Sequence, residues 1–263
     1  MGSDLKGKTA LVTGGARGIG HDISAALAGS NVVIHARNVT DAVRSFAEDL
    51  AAEHGVRTYV VTADFLKPDG VDQLFAGIAA ADVGPLDILI NNAGFETTAA
   101  AEDMPVAEWQ AVIDVNLNAP FRCSQHAAWQ MIEKGGGVII NITSIHDSVP
   151  RKGLAHYCAA KAALKMLGHC TALEWAEHGI RVIGVGPGAI ETDMNREAIE
   201  GFGRDKFEGW IPVGRLGNTG DIAETVRFLC SDAASYITAT DIYVDGGYMK
   251  NLVRYDDRPD RRG

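Results

Sequence analysis

The chain has no stretch of about twenty apolar residues, so no segment reads as long enough to cross a bilayer. It has only four cysteines, Cys123, Cys158, Cys170 and Cys230, and they are scattered without metal-ligand spacing. They read as reduced thiols of a cytoplasmic protein, and no metal is expected. Basic residues are in the minority: 24 Lys and Arg stand against 34 Asp and Glu, a formal net charge of −10. A phosphate backbone needs a basic face, so this balance argues against a nucleic-acid partner. It gives no reason to expect an anionic membrane surface either. The opening residues lack a basic-then-apolar export signal, and Lys6 breaks the myristoylation pattern. Repeats, low-complexity segments and linkers are also missing.

What is present is a steady alternation. With 263 residues, 46% of them hydrophobic, the chain can fill one α/β core. Strand-like runs fall at Thr9–Val12, Val32–Ala36, Thr58–Thr62, Asp87–Ile90, Val138–Ile142, Arg181–Val185 and Asp241–Val244. Helix-period segments lie between them, among them Val43–Glu53, Val71–Ala80, Ala107–Glu133, Leu154–His178 and Asp221–Cys230. Strands separated by helices of this length require crossovers and so a parallel, doubly wound sheet. Val138-Ile139-Ile140-Asn141-Ile142 is apolar on both faces, as a strand covered by helices on each side must be. The expected fold is α/β, a single domain with a seven-stranded parallel sheet.

Two constellations carry chemistry. The first strand runs into Gly14-Gly15-Ala16-Arg17-Gly18-Ile19-Gly20, and a helix follows. Glycines let the backbone approach a pyrophosphate, and a helix start offers free N–H groups and a positive dipole end. The second constellation is Tyr157-Cys158-Ala159-Ala160-Lys161, with Ser144 upstream. Residues i and i+4 share one helix face. A phenol is a poor base near its ordinary pKa of about 10, and a neighbouring ammonium is expected to bring it toward neutrality. The Ser144 hydroxyl could hold a substrate oxygen beside the phenol.

Together these motifs resemble the short-chain dehydrogenase/reductase family over residues 5–250, in the family's order. Thr13 to Gly20 resembles its cofactor turn, and Asp64 the acid that meets the adenine ring. Asn91-Asn92-Ala93-Gly94 is similar to its central-strand signature. Asn116, Ser144, Tyr157 and Lys161 match its catalytic tetrad, and Pro187-Gly188 with Thr192 the segment that caps the nicotinamide. The resemblance implies a Rossmann fold and hydride transfer between a nicotinamide and an alcohol or carbonyl carbon. It implies that Tyr157 exchanges the proton, Ser144 holds the oxygen, Lys161 binds the ribose, and Asn116 kinks its helix and holds a water against Lys161. Cofactor contacts are expected from Gly14, Ala16, Arg17, Gly18, Ile19, Gly20, Arg37, Asn38, Asp64, Phe65, Asn91, Ala93, Gly94, Tyr157, Lys161, Pro187, Gly188, Ile190 and Thr192.

Cofactor choice turns on Ala36-Arg37-Asn38. Ala36 stands where NAD-preferring relatives carry an acid, and Arg37 could pair with a 2′-phosphate. Arg17 could add a second positive charge. NADP is favoured, with NAD or dual use possible. The substrate side is expected to include Glu96, Ser144, His146 and Tyr157, with Arg151, His156, Glu191 and Asn195 nearby. So many polar groups suit a hydroxylated small molecule. Within the family the pattern is similar to glucose 1-dehydrogenase and related sugar or polyol dehydrogenases. The alternatives are a reductase of acyl or aromatic ketones, which Met194, Phe202 and Phe207 leave open, and a non-catalytic dinucleotide-binding sensor or scaffold. Family analogy implies a homotetramer. The domain is read as residues 1–250, including a substrate lid at 189–213, with a C-terminal tail at 251–263.

Overall fold

The computed structural model describes residues 5–192 and 196–251. Seven parallel strands form one sheet in the order β3-β2-β1-β4-β5-β6-β7. They are β1 (Thr9–Val12), β2 (Asn31–Ala36), β3 (Thr58–Thr62), β4 (Ile88–Asn91), β5 (Gly137–Ile142), β6 (Ile180–Pro187) and β7 (Thr240–Val244). The order reverses between β1 and β4, and ligands of such sheets bind at the carboxyl ends of the strands beside that crevice.

Alternate residues of each strand serve opposite layers. Ala10, Val12, Val32, Ile34, Ile88, Ile90 and Ile140 pack against α1 (Gly18–Ala26), α2 (Asp41–His54) and α9 (Thr219–Cys230) through Ile23, Leu50 and Val226. Leu11, Val33, Leu89, Ile139 and Val182 pack on the other face. There they meet α3 (Gly70–Ala80), α5 (Ala119–Lys134) and α6 (Ala155–Trp175) through Leu74, Met131 and Ala172. This is the doubly wound α/β architecture expected from the sequence.

Three elements differ from the expected spans. β6 extends to Pro187, so Gly186 lies inside the strand, where it pairs with Tyr243. The helix expected at 107–133 is α4 (Val106–Ile113), a π-helical turn at Asp114–Asn118, and then α5. The wide turn sits at Asn116. The 189–213 region carries two short helices, α7 (Arg196–Phe202) and α8 (Arg204–Glu208). Ile199, Ile211 and Leu216 make a small separate core there.

Candidate active site

The glycine turn is held from below by Thr13. Its hydroxyl donates to Ile90 O at 3.2 Å and accepts from the N–H groups of Asn92 at 2.9 Å and Ala93 at 3.0 Å. Asn92 Nδ2 donates to Thr13 O at 2.9 Å and to Gly14 O at 3.2 Å. These bonds stitch the end of β1 to the end of β4, across the crevice where the strand order reverses. Asn92 is a site residue that the sequence reading named only within its motif. Asn91, also expected at the cofactor site, is the last residue of β4 and directs its buried amide to Ser124 Oγ and Asn141 Oδ1, both at 2.9 Å.

The turn has no room for side chains. Gly14 has φ +63°, and a Cβ on Gly20 would lie 2.2 Å from Gly14 O. Helix α1 begins at Gly18 with no side-chain cap, which leaves its first N–H groups open to an anion. A Cβ on Gly18 would lie 4.0 Å from Thr192 Cγ2, so the segment after β6 reaches the turn. There Gly188 N donates to Val244 O at 3.0 Å, following Pro187 at the end of β6, and Ile190 is buried and bridges to Gly217. Ala16 and Ile19 are half-buried beside the first core layer. On the other side of the crevice, Asp64 Oδ1 accepts from Leu66 N at 3.1 Å, and Phe65 stacks on His35 with ring centroids 4.5 Å apart. Arg17, Arg37 and Asn38 are exposed, and neither arginine has an ion-pair partner among the described residues. An uncapped helix start, a cradle too tight for a Cβ and two exposed guanidinium groups fit a dinucleotide.

Ser144, Tyr157, Lys161 and Asn116 converge beyond the ends of β4 and β5. Lys161 is buried, donates to Ile142 O at 2.8 Å, and lies 5.5 Å from the Tyr157 ring centroid. Burial pulls its pKa down to about 8, against the raising influence of Asp147 and Glu96. Ser144 Oγ accepts from His146 N at 3.1 Å, capping a short 3-10 turn, and stands near enough to the Tyr157 phenol to pull its pKa down. Asn116 is fully buried and donates to Phe95 O at 2.8 Å and Val112 O at 2.9 Å. Its Oδ1 has no partner among the described residues. A Cβ on Gly94 would lie 2.6 Å from that oxygen and 3.7 Å from Lys161 Nζ.

The sequence led to the expectation that Lys161 would lower the Tyr157 pKa. The protein groups do the reverse. Burial pushes the phenol above its ordinary value, the Glu96 charge adds to this, and the Ser144 hydroxyl opposes it. The Lys161 ammonium is engaged with the Ile142 carbonyl.

The substrate-side residues divide. Glu96 is near enough to raise the Tyr157 pKa and pairs with Arg151 at 3.9 Å. His146 is half-buried and bonds to Val149 O at 2.8 Å within its own loop. His156, expected to line the pocket, is buried behind it. Its Nδ1 accepts from Tyr157 N at 2.9 Å and its Nε2 meets Thr97 Oγ1 at 2.8 Å. Glu191 is bound by Arg204. Met194, Asn195 and residues 252–263 lie outside the described residues, as does the side chain of Phe202.

A dinucleotide cradle beside a serine, a tyrosine and a buried lysine defines a nicotinamide-dependent oxidoreductase. A family model described as enoyl-(acyl carrier protein) reductase matches residues 14–249, and the chain belongs to the short-chain dehydrogenase/reductase family. Among its relatives, 3beta-hydroxysteroid dehydrogenase 1 of Eggerthella lenta is 39% identical over 94% of this chain and 95% of that one. The 3-oxoacyl acyl-carrier-protein reductase FabG of Staphylococcus epidermidis is 39% identical over 92% of this chain and 99% of its own. The crystal structure of a gluconate 5-dehydrogenase from Burkholderia cenocepacia in complex with NADP and tartrate superposes with a TM-score of 0.86 at 33% identity, covering 94% of this chain and 96% of that one. The chain is therefore an NAD(P)-dependent oxidoreductase of alcohols and carbonyls. That decides against the non-catalytic alternative.

Proposed function

We propose that this enzyme prefers NADP and interconverts a secondary alcohol and its carbonyl on a small hydroxylated substrate, a sugar, polyol or sugar acid. The carrying observation is Glu96, a half-buried carboxylate close enough to Tyr157 to shift its pKa and paired with Arg151 at 3.9 Å. A carboxylate this near the phenol can accept hydrogen bonds from substrate hydroxyls and disfavours an apolar chain. The gluconate 5-dehydrogenase likeness supports the same class. Arg37 and Arg17, without an ion-pair partner among the described residues, support NADP, since a guanidinium pairs bidentately with a 2′-phosphate.

The nicotinamide, when bound, would supply or take the hydride. The chain's own residues handle the proton. In reduction Tyr157 donates its phenolic proton to the substrate oxygen while Ser144 donates a hydrogen bond to that oxygen. In oxidation the phenolate takes the proton back. Lys161 holds the ribose side of the site and is the next proton source behind the phenol. Asn116 Oδ1, which shares the space beside Gly94 with Lys161, is the acceptor through which a water would be held. The Gly14–Gly20 turn holds the phosphates, Asp64 and Phe65 the adenine side, and Ala93, Gly94, Pro187, Gly188, Ile190 and Thr192 the nicotinamide side.

Residues 189–213 are proposed as the substrate lid and 251–263 as the C-terminal tail that follows the domain. A homotetramer is supported by apolar side chains on α4, α5 and α6 that face outward, Trp109, Trp129, Met166 and Leu173. Four unpaired cysteines suit a cytoplasmic location, and among the described residues no helix is long and apolar enough to cross a membrane. A second reading, reduction of acyl or aromatic ketones, is favoured by the hydroxysteroid dehydrogenase and acyl-carrier-protein reductase relatives. The test is a panel of sugars, sugar acids, polyols, acyl thioesters and aromatic ketones, read by nicotinamide absorbance with each cofactor. Higher kcat/KM for hydroxylated substrates supports the first reading. Higher kcat/KM for acyl or aromatic ketones replaces it with the second.

A further inference from the structure

His35 is the penultimate residue of β2, and the proposed chemistry makes no use of it. It is 4% exposed. Its ring lies between the glycine turn and the loop after β3. Nδ1 accepts from Gly14 N at 3.1 Å, and Nε2 lies 3.1 Å from Ala63 O. An imidazole nitrogen that accepts an N–H carries no proton, so the ring's single hydrogen is on Nε2 and is donated to Ala63. Burial keeps the ring neutral by pulling its pKa down to about 4, against the raising influence of the Ala63 bond and Asp64. One ring face stacks on Phe65, at 4.5 Å and 21°. The backbone of the same residue takes the next glycine, since Gly15 N donates to His35 O at 2.9 Å.

Residue 35 therefore holds both leading N–H groups of the turn, one by its ring and one by its carbonyl. The N–H groups at the start of α1 remain open. Gly14 itself sits at φ +63°, a conformation with no side chain to anchor it. A turn this rich in glycine has many alternatives, and fixing it before the ligand arrives raises affinity by lowering the ordering cost.

We propose that His35 is a positioning residue that couples the phosphate turn to the adenosine-side loop, so that dinucleotide affinity depends on its imidazole. The inference rests on the dinucleotide reading of this site. The turn meets the part that NADP and NAD share, so both are affected alike, unlike a change at Arg37.

The experiment is titration of NADPH and NADH by nucleotide fluorescence, with KM and kcat alongside, on His35→Phe, His35→Asn and His35→Gln. Phe keeps the stack and leaves Gly14 N–H and Ala63 O unpaired. Both dissociation constants should rise about tenfold and by the same factor, with kcat at saturating cofactor within about threefold of the parent. Asn places an acceptor where Nδ1 stood and should recover most of the affinity. Gln reaches toward Ala63 but not Gly14 and should not. This pair carries the test if the Phe variant does not fold. Equal affinities for Asn and Gln, or parental affinity for Phe, overturn the proposal. A kcat loss without a change in affinity overturns it too. A parent enzyme that binds neither dinucleotide overturns the cofactor reading as well, which separates the two failures.

Discussion

Asn116 and Lys161 come from different helices and meet beside Gly94. A methyl group added there would stand 2.6 Å from Asn116 Oδ1 and 3.7 Å from Lys161 Nζ. The π turn at Asp114–Asn118 brings the asparagine to this point, and a buried bond to Ile142 O holds the lysine. Gly94→Ala is predicted to drive the two apart and lower kcat by about tenfold or more, with a smaller effect on substrate KM. Steady-state kinetics check this, and a parental kcat would contradict it.

Asn116→Ala removes the amide donor that serves Phe95 O at 2.8 Å and Val112 O at 2.9 Å. The expected cost is about 1–3 kcal/mol for each buried carbonyl left without a donor. It should appear as a lower denaturation midpoint with unchanged slope in urea.

Arg37→Asp replaces an exposed guanidinium with a carboxylate. A carboxylate repels a 2′-phosphate and accepts from ribose hydroxyls, so the preference should pass from NADP to NAD. The ratio of kcat/KM values with the two cofactors is the readout, and an unchanged ratio would count against the assignment.

The pH dependence follows from Tyr157. Burial and the Glu96 charge both raise its pKa, so the phenol is protonated at neutral pH. Reduction uses the acid and should be level through neutrality. Oxidation uses the phenolate and should rise on the alkaline side. Glu96→Gln removes a negative charge, which lowers the phenol pKa and moves that alkaline limb to lower pH. Profiles of kcat/KM in both directions test the sign; a limb that stays in place or moves upward contradicts it.

The fold was legible because parallel strands buried on both faces are near-continuous apolar runs, and Val138–Ile142 or Thr9–Val12 can be little else. The site was legible where backbone geometry dictates residue type, as at Gly20, whose Cβ would strike Gly14 O. Contacts made in three dimensions were not. The π turn has no signature in the helical period of Ala107–Glu133, and only the family resemblance places a kink at Asn116. His35 reads as one more residue of a buried strand until Gly14 and Ala63 are seen on either side of it. His156 reads as a pocket residue, yet its ring folds back onto the Tyr157 N–H. The Tyr157 pKa followed spacing alone, which shows that Lys161 is near but not that its ammonium serves Ile142 while the phenol is desolvated.

The most direct test is Tyr157→Phe, assayed for turnover and, separately, for NADPH binding by fluorescence. With the proton donor gone and the cradle untouched, kcat should fall by about a hundred to ten-thousand-fold while the dissociation constant stays within about threefold. Turnover within about threefold of the parent would contradict the role of Tyr157 as the acid and base of this enzyme.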